Sequence, residues 1–269
     1  NLCAEIYEVS SDKETAVCNL CSINLEKCVV DIHTEEELKL PVNERRDLNH
    51  EYPVNPRFDF IALNEIAHLA VRNLNNVIDR NYYPTDKTYK SNVRHRPIGV
   101  GVQGQANVYL KMRYPFESDK AATLNKYIYE TIAYACYSES SKMAKDEYQR
   151  IRGIVKKTGS YSHRLFKSNY KDTTTIWKKT SDVKKTIGSY PSMLWNGGAP
   201  ISKGIFAWQL AGLKKEDLSG MWEWNTLADH IRIYGVRNSL LVALMPTATT
   251  SQLLGNNECF EPFTSNIYK

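Results

Sequence analysis

Apolar residues recur at helical spacing in three stretches of the chain. Ile66, Ala70, Leu74 and Val77 would lie on one face of a long helix running to about Arg80, with Asp59 as its N-cap. Ser118 opens a second amphipathic helix, with Leu124, Ile128, Thr131 and Ala135 in register. A third helix near Trp224–Tyr234 stops at Gly235, the residue type that best tolerates the left-handed conformation after a helix. Shorter runs predict strands. Cys3–Glu8 and Thr15–Leu25 flank a polar turn at Ser10–Lys13, as in a hairpin or a strand–loop–strand. Arg94–Gly104 reads as a strand entering a tight turn, and Ser239–Leu244 as a short buried strand leading into the hydroxyl-rich loop Pro246–Ser251. Asp31–Pro56 is a polar connector. Tyr148–Gly198 loses periodicity and reads as an insertion. Strands alternating with helices predict an α/β fold with parallel strands, and no internal repeat is evident.

Composition narrows this picture. A chain of 269 residues with 42% apolar and 24% charged content can bury a sizeable core in one or two domains. The longest clean apolar stretch, Leu240–Met245, is far short of the roughly 20 residues of a membrane span. No signal peptide opens the chain, so the expectation is a cytoplasmic protein with no membrane partner. It starts at Asn1 without a Met, which reads as a piece of a longer precursor. Six cysteines are too few for a dense disulfide framework and are expected to be mostly reduced. The net charge of +5 is concentrated between Lys142 and Lys185. Runs such as Lys156–Lys157 and Lys184–Lys185 favour a solvated, dispensable insertion over a nucleic-acid surface.

Four motifs carry candidate chemistry. In an extended Asn1–Ile6, the side chains of Asn1, Cys3 and Glu5 share one face. They offer a polarising amide, a sulfur able to carry a radical or act as a nucleophile, and a base; a half-buried edge strand with chance polar residues fits as well. Cys18-Asn19-Leu20-Cys21, extended by Cys28 and His33, has the inventory of a zinc knuckle, but it lacks the glycine turns of one and the strand-to-helix context of a redox C-x-x-C. Gly99–Gly104 fits G-x-G-x-x-G without the preceding strand or the downstream acidic residue of a nicotinamide site, so close backbone packing is the expected use of its glycines. Thr247, Ala248, Thr249, Thr250 and Ser251 supply small hydroxyls and free amides suited to phosphate oxygens, unless Thr249 or Thr250 simply caps a helix.

Taken together these blocks resemble the large, catalytic subunit of class I ribonucleotide reductases in its eukaryotic and viral form. The resemblance rests on Asn1–Ile6, Ala16–Leu20, Arg94–Gly104, Met112–Ser118, Tyr234–Leu241 and Pro246–Tyr268, which occur in the family's order and span nearly the whole chain. It implies part of a ten-stranded α/β barrel, with Cys3 on a finger loop as the transient thiyl radical that takes the ribose 3′-hydrogen. Glu5 would take the 3′-hydroxyl proton, and Asn1 would hydrogen-bond the sugar. Cys18 would be one of two reducing thiols, and Thr247–Ser251 would hold the diphosphate of a ribonucleoside diphosphate.

No cofactor is implied on this chain. The radical would come from the di-iron tyrosyl centre of a small subunit, with thioredoxin or glutaredoxin as reductant. ATP and dNTP effectors would bind elsewhere, on parts of the large subunit outside this sequence, in what is expected to be a homodimer when complete. Gln105 and Asn107 replace an apolar and an acidic residue of the family, which predicts looser packing after the glycine turn; Cys21 and Cys259 are also departures. A truncated relic that binds intact subunits without turnover is the alternative reading, and a cobalamin-dependent reductase fits the Arg94–Gly104 and Gly255–Tyr268 blocks less well.

Overall fold

The computed structural model describes residues 5–49, 52–159 and 187–265. Its first regular element is β1 (Leu20–Asn24), where alternation turns Cys21 and Ile23 toward the core and Leu20, Ser22 and Asn24 to the other face. The strand-like run therefore begins at Leu20, not at Thr15, and Glu5–Val9 forms no strand either. A short strand, β2 (Val29–Asp31), pairs antiparallel with β3 (Pro56–Phe58). Between them lies one helical turn, α1 (Glu35–Leu38), closed by reciprocal Thr34–Glu37 capping. What looks like a bare connector in sequence thus has sheet at both of its ends.

Asp59 accepts hydrogen bonds from Ile61 N (3.0 Å) and Ala62 N (2.9 Å) and so starts α2 (Phe60–Arg80), as expected. The buried stripe, however, is Leu63, Ala67, Val71, Leu74 and Ile78, while Ile66 and Val77 are exposed. Next comes α3 (Asp86–His95), which hydrophobic periodicity does not foretell because the residues it buries are Thr88, Ser91, Asn92 and Arg94 as well as Tyr89. β4 (Gly99–Gln103) is buried throughout and runs parallel to β1, Leu20 opposite Gly99 and Asn24 opposite Gln103. Gly104, at φ 74°, turns the chain into α4 (Gln105–Met112).

Ser118 caps α5 (Asp119–Thr158), and Leu124, Ile128, Thr131 and Ala135 are buried as their spacing predicts. At 40 residues this helix is about 60 Å long. It passes through the start of the expected insertion: Ile151 is fully buried and packs with Ile187. Tyr190 and Met193 are also core residues. Both ends of Tyr148–Gly198 therefore belong to the packed structure, and its middle lies outside the described residues. Two further helices follow, α6 (Ala207–Leu210) and α7 (Trp224–Tyr234), the latter ending at Gly235 with φ 73° as predicted. The last is α8 (Ala248–Leu254).

The segment at 240–243 lies beside β4 on the edge away from β1, joined by Ile98 N→Leu240 O (3.1 Å), Val100 N→Leu241 O (2.8 Å) and Ala243 N→Val100 O (3.2 Å). It makes a single parallel bridge, Val100 to Val242, and not the full strand expected over Ser239–Leu244. The α/β character is as expected. Among the described residues the strands form two two-stranded sheets plus this bridge, and no closed barrel.

Two cores flank α5. One packs α2 and α5 against β1 and β4 through Leu63, Val71, Val100, Val102, Ile128 and Ile132. The other gathers Tyr190, Met193, Phe206, Trp224, Leu227 and Ile231. Glu130, buried between them, accepts from Trp224 Nε1 (3.1 Å) and Ser219 N (2.7 Å). A buried polar cluster pins four segments together. Asn75 and Asn238 exchange side-chain hydrogen bonds (3.0 and 3.1 Å), Ser140 Oγ donates to Asn238 Oδ1 (2.9 Å), and Arg96 Nη2 donates to Asn75 Oδ1 (2.9 Å). Most buried polar groups in folded proteins are satisfied in this way, because an unmade hydrogen bond is costly away from water.

Candidate active site

β4 forms the axis of the site. A Cβ on Gly99 would fall 2.5 Å from Leu20 Cδ2, 2.7 Å from Ala243 Cβ and 3.8 Å from Ile6 Cδ1; one on Gly101 would fall 2.5 Å from Ala243 O. These glycines allow the neighbouring backbone to press onto the sheet, as the sequence reading expects, although they do so within a strand. Along one face of β4 the order is therefore Ile6 over Gly99, Met245 over Gly101, and Gln103 at the carboxyl end. From Gly99 to Gln103 this path covers about 13 Å at about 3.3 Å per residue.

At the carboxyl end, Ser251 Oγ donates to Gln103 Oε1 (3.0 Å) and accepts from Thr247 Oγ1 (2.8 Å). Thr247 Oγ1 also accepts from Cys259 N (2.8 Å), and Cys259 Sγ donates to Met245 O (2.8 Å). Gln103, Thr247, Ser251 and Cys259 are all buried. The expected hydroxyl-rich loop is in fact the start of α8, and its five candidate residues fall into two sets. Thr247 and Ser251 are tied inward. Ala248, Thr249 and Thr250 are exposed on the first turn, where backbone N–H groups have no partner within the helix. Neither Thr249 nor Thr250 is the cap; Thr247 holds that position, without a side-chain capping bond.

The predicted departures from the family pattern support this end. Gln105 Nε2 donates to Tyr109 OH and Asn125 Oδ1 (both 2.7 Å), and Gln105 Oε1 accepts from Tyr129 OH (2.7 Å). Asn107 Oδ1 accepts from Asn257 N (2.9 Å), in the segment that returns past α8. The expected loosening is overturned, since both side chains are bonded where an apolar or acidic residue would stand.

The amino end of β4 has a different chemistry. Asn19 Nδ2 donates to Asn92 Oδ1 (2.8 Å) and Pro97 O (3.0 Å), which fixes the backbone beside the exposed Cys18. The loop before it closes on itself through Ala16 N→Ser10 Oγ (3.0 Å) and Ser11 N→Glu14 O (2.8 Å), the polar turn predicted at Ser10–Lys13. Closure brings Glu8 back against Val17 and Cys18. Burial pushes the Glu8 carboxyl above the usual carboxylate range, and the Cys18 thiol and the Val17 N–H draw it partly back. Behind this loop Glu14 pairs with Arg94 (2.7 Å) and approaches His95 Nε2 (3.3 Å), while His95 Nδ1 meets Ser192 Oγ (2.7 Å). Burial lowers the His95 pKa and Glu14 works against that shift.

Of the predicted residues, Glu5 is half-buried beside Ile6, so the path along β4 begins next to it. Asn1 and Cys3 lie outside the described residues, and with them the sugar contact and the radical role that the resemblance implies. Cys18, Cys21 and Cys28 do not converge: Cys18 is exposed, Cys21 and Cys28 face the core, and burial raises both of the latter thiols to about 11. Among the described residues no three His, Cys, Asp or Glu side chains gather around a metal-sized space. Two residues of consequence escape sequence reasoning. Gln103 is visible only as the end of the G-x-G-x-Q-G run, and Glu8 carries no signal at all because loop closure alone brings it to Cys18.

Comparison with known proteins gives a consistent result. The model of the ribonucleotide reductase barrel domain matches residues 1–269. The large chain of ribonucleoside-diphosphate reductase from Neurospora crassa is 39% identical over 269 residues, covering 100% of this chain and 22% of the relative. Large chain 2 from Saccharomyces cerevisiae is 41% identical over 268 residues (100% and 24%), and the large subunit from Arabidopsis thaliana 40% over 268 residues (100% and 27%). The chain thus spans about a quarter of the length of these relatives.

Proposed function

The chain belongs to the ribonucleotide reductase barrel-domain family, and on that premise we propose that it is the sugar-reducing part of a ribonucleoside-diphosphate reductase large subunit. The observation that carries this reading is the polarity of the β4 path. A thiol and carboxylates stand at one end, and exposed helix-start amides held by buried hydroxyls stand at the other. In this reading the diphosphate sits on the first turn of α8, where the amides of Ala248, Thr249 and Thr250 face the anion and Thr247 and Ser251 hold the turn rigid. The ribose lies toward Glu5, which takes the 3′-hydroxyl proton, with Asn1 polarising the sugar and Cys3 abstracting the 3′-hydrogen as a thiyl radical. Cys18 supplies one of the two reducing thiols.

The three parallel segments then form part of a ten-stranded barrel completed by the rest of the polypeptide. A small subunit with a di-iron tyrosyl centre delivers the radical, and thioredoxin or glutaredoxin restores the thiols. ATP and dNTP effectors act from other parts of a homodimeric large subunit. The test is Cys18→Ser in the complete polypeptide. Nucleoside diphosphate binding should persist while multiple turnover with a dithiol reductant disappears. Normal steady-state deoxynucleotide formation by that variant would remove the assignment.

A further inference from the structure

Thr247, Thr249, Thr250 and Ser251 carry four hydroxyls, and a buried amide decides where their hydrogens point. Gln103 ends β4 and is 2% exposed, and its Oε1 accepts from Ser251 Oγ at 3.0 Å. An amide oxygen can only accept, so the single hydrogen of the Ser251 hydroxyl is used there. Towards Thr247 Oγ1, 2.8 Å away, Ser251 is then left as the acceptor. The Thr247 hydrogen therefore points at Ser251, and the Thr247 oxygen takes the Cys259 N–H at 2.8 Å. Thr250 Oγ1 donates to Thr247 O at 3.1 Å. Three of the hydroxyls thus have their hydrogens turned into the protein, and Thr249 is exposed on the outer side.

The link from Gln103 to this turn is held from a second side. Gly104 N donates to Asn257 O (2.9 Å) and Gln105 N to Cys259 O (3.3 Å), so the end of β4 grips the returning segment 257–259. That segment reaches Thr247 through Cys259 N, and Cys259 Sγ donates to Met245 O at 2.8 Å. Gln103, Ser251, Thr247 and Cys259 close a ring of contacts around the turn, and all four are buried. Such a ring fixes direction as well as position. An apolar side chain at 103 would fill the space and still leave the hydrogens of Ser251 and Thr247 free to reorient.

We propose that Gln103 is a positioning residue for the substrate. It acts through Ser251, holding the 247–251 turn in the form that receives the diphosphate, with Thr249 the one hydroxyl of the turn directed to a phosphate oxygen. This rests on the reading above, in which that turn holds the diphosphate. What it adds is a residue 148 positions earlier in the chain on which substrate affinity depends.

The test is steady-state kinetics of the complete reductase, large and small subunits together, on a ribonucleoside diphosphate. Inorganic pyrophosphate and the matching nucleoside serve as competitive inhibitors. Gln103→Met should raise KM and the pyrophosphate inhibition constant together by about fivefold to tenfold, the worth of one hydrogen bond, with kcat changed by less than about twofold. Nucleoside inhibition should stay within about twofold of the wild type, an outcome that general loosening of the site does not produce. Ser251→Ala breaks the same link from its other end and should give the same shifts. The double variant should then be no worse than Ser251→Ala alone. Wild-type constants in either single variant, additive shifts in the double, or a nucleoside loss equal to that for pyrophosphate would overturn the proposal. Ser251→Ala decides the matter even if Gln103→Met does not fold. Thr249→Ala separates this inference from the reading beneath it. If Thr249→Ala raises KM and Gln103→Met does not, only the role of Gln103 falls. If neither raises it, the placement of the diphosphate falls and this inference with it.

Discussion

At the carboxyl end of β4 the groups drawn into the site are an amide, two hydroxyls and a buried thiol: Gln103, Thr247, Ser251 and Cys259, each with a partner at 2.8–3.0 Å. At the amino end they are two carboxyls, an imidazole and an exposed thiol: Glu8, Glu14, His95 and Cys18. A site that must hold an anion gains from donors fixed in advance, because they need no reorganisation when charge arrives. Proton-exchanging groups need the opposite, a partner that leaves the proton free to move. In the function proposed above, the two ends of one strand would meet these demands separately, with the close-packed Gly99 and Gly101 between them.

The largest expected effect tests whether the amino end depends on its charges for stability. Glu14→Ala removes the buried carboxylate that Arg94 meets at 2.7 Å and should cost about 3 kcal/mol in chemical denaturation. A loss under about 1 kcal/mol would mean that water replaces the pair, and the contrast between the ends would weaken.

At the carboxyl end the contrast is between two neighbouring hydroxyls. Ser251→Ala removes the link between Thr247 and Gln103 and should cost about 1–2 kcal/mol. Thr249→Ala, on the exposed side of the same helix, should change stability by less than about 0.5 kcal/mol. In the complete enzyme Thr249→Ala should instead raise KM for the nucleoside diphosphate with kcat little changed. Equal stability losses at the two positions would erase the distinction between anchoring and contacting residues.

The smallest effect is a pH dependence. The folded-state pKa of Glu8 lies above its ordinary 4.5, so the folded state binds this proton more tightly than the unfolded chain does. Its stabilising contribution is full below 4.5 and is lost as pH rises through the raised value. Glu8→Gln should therefore gain on the wild type between pH 4 and pH 8 in denaturant midpoints, and a widening deficit would show that the carboxylate is held charged.

The sequence made the long elements legible and left most short ones hidden. The helices capped by Asp59 and Ser118 and stopped by Gly235 follow from local signals that tertiary packing does not override. The orientation of α2 does not, because Ile66, Leu69 and Val77 form a second apolar stripe beside Leu63, Ala67, Val71 and Ile78, and periodicity cannot say which one meets the sheet. α3 escaped because its burial is paid in hydrogen bonds: Asn92 reaches Asn19 and Tyr83, and Arg94 reaches Glu14. For the site, the family resemblance supplied Glu5, Cys18 and the Thr247–Ser251 run. The inward set of hydroxyls, the role of Gln103 and the position of Glu8 required three-dimensional closure across 148 residues in one case and ten in the other.

The cluster of Asn75, Arg96, Ser140 and Asn238 has a consequence for how the chain is made. Asn238 meets Ser140 across 98 residues and Asn75 across 163. During synthesis at about 5–20 residues per second, Asn75 is made roughly 8–30 seconds before the side chain that completes its buried amide. Until then the Asn75 amide has Val71 O and Arg96 as partners but lacks its two bonds to Asn238, so docking of α2 on α5 leaves it incompletely satisfied. The first core is thus completed only by residues made long after α2, and a nascent polypeptide halted before Asn238 should show α2 more open to proteolysis than the full chain does, although the members of that core before Leu241 have already been made.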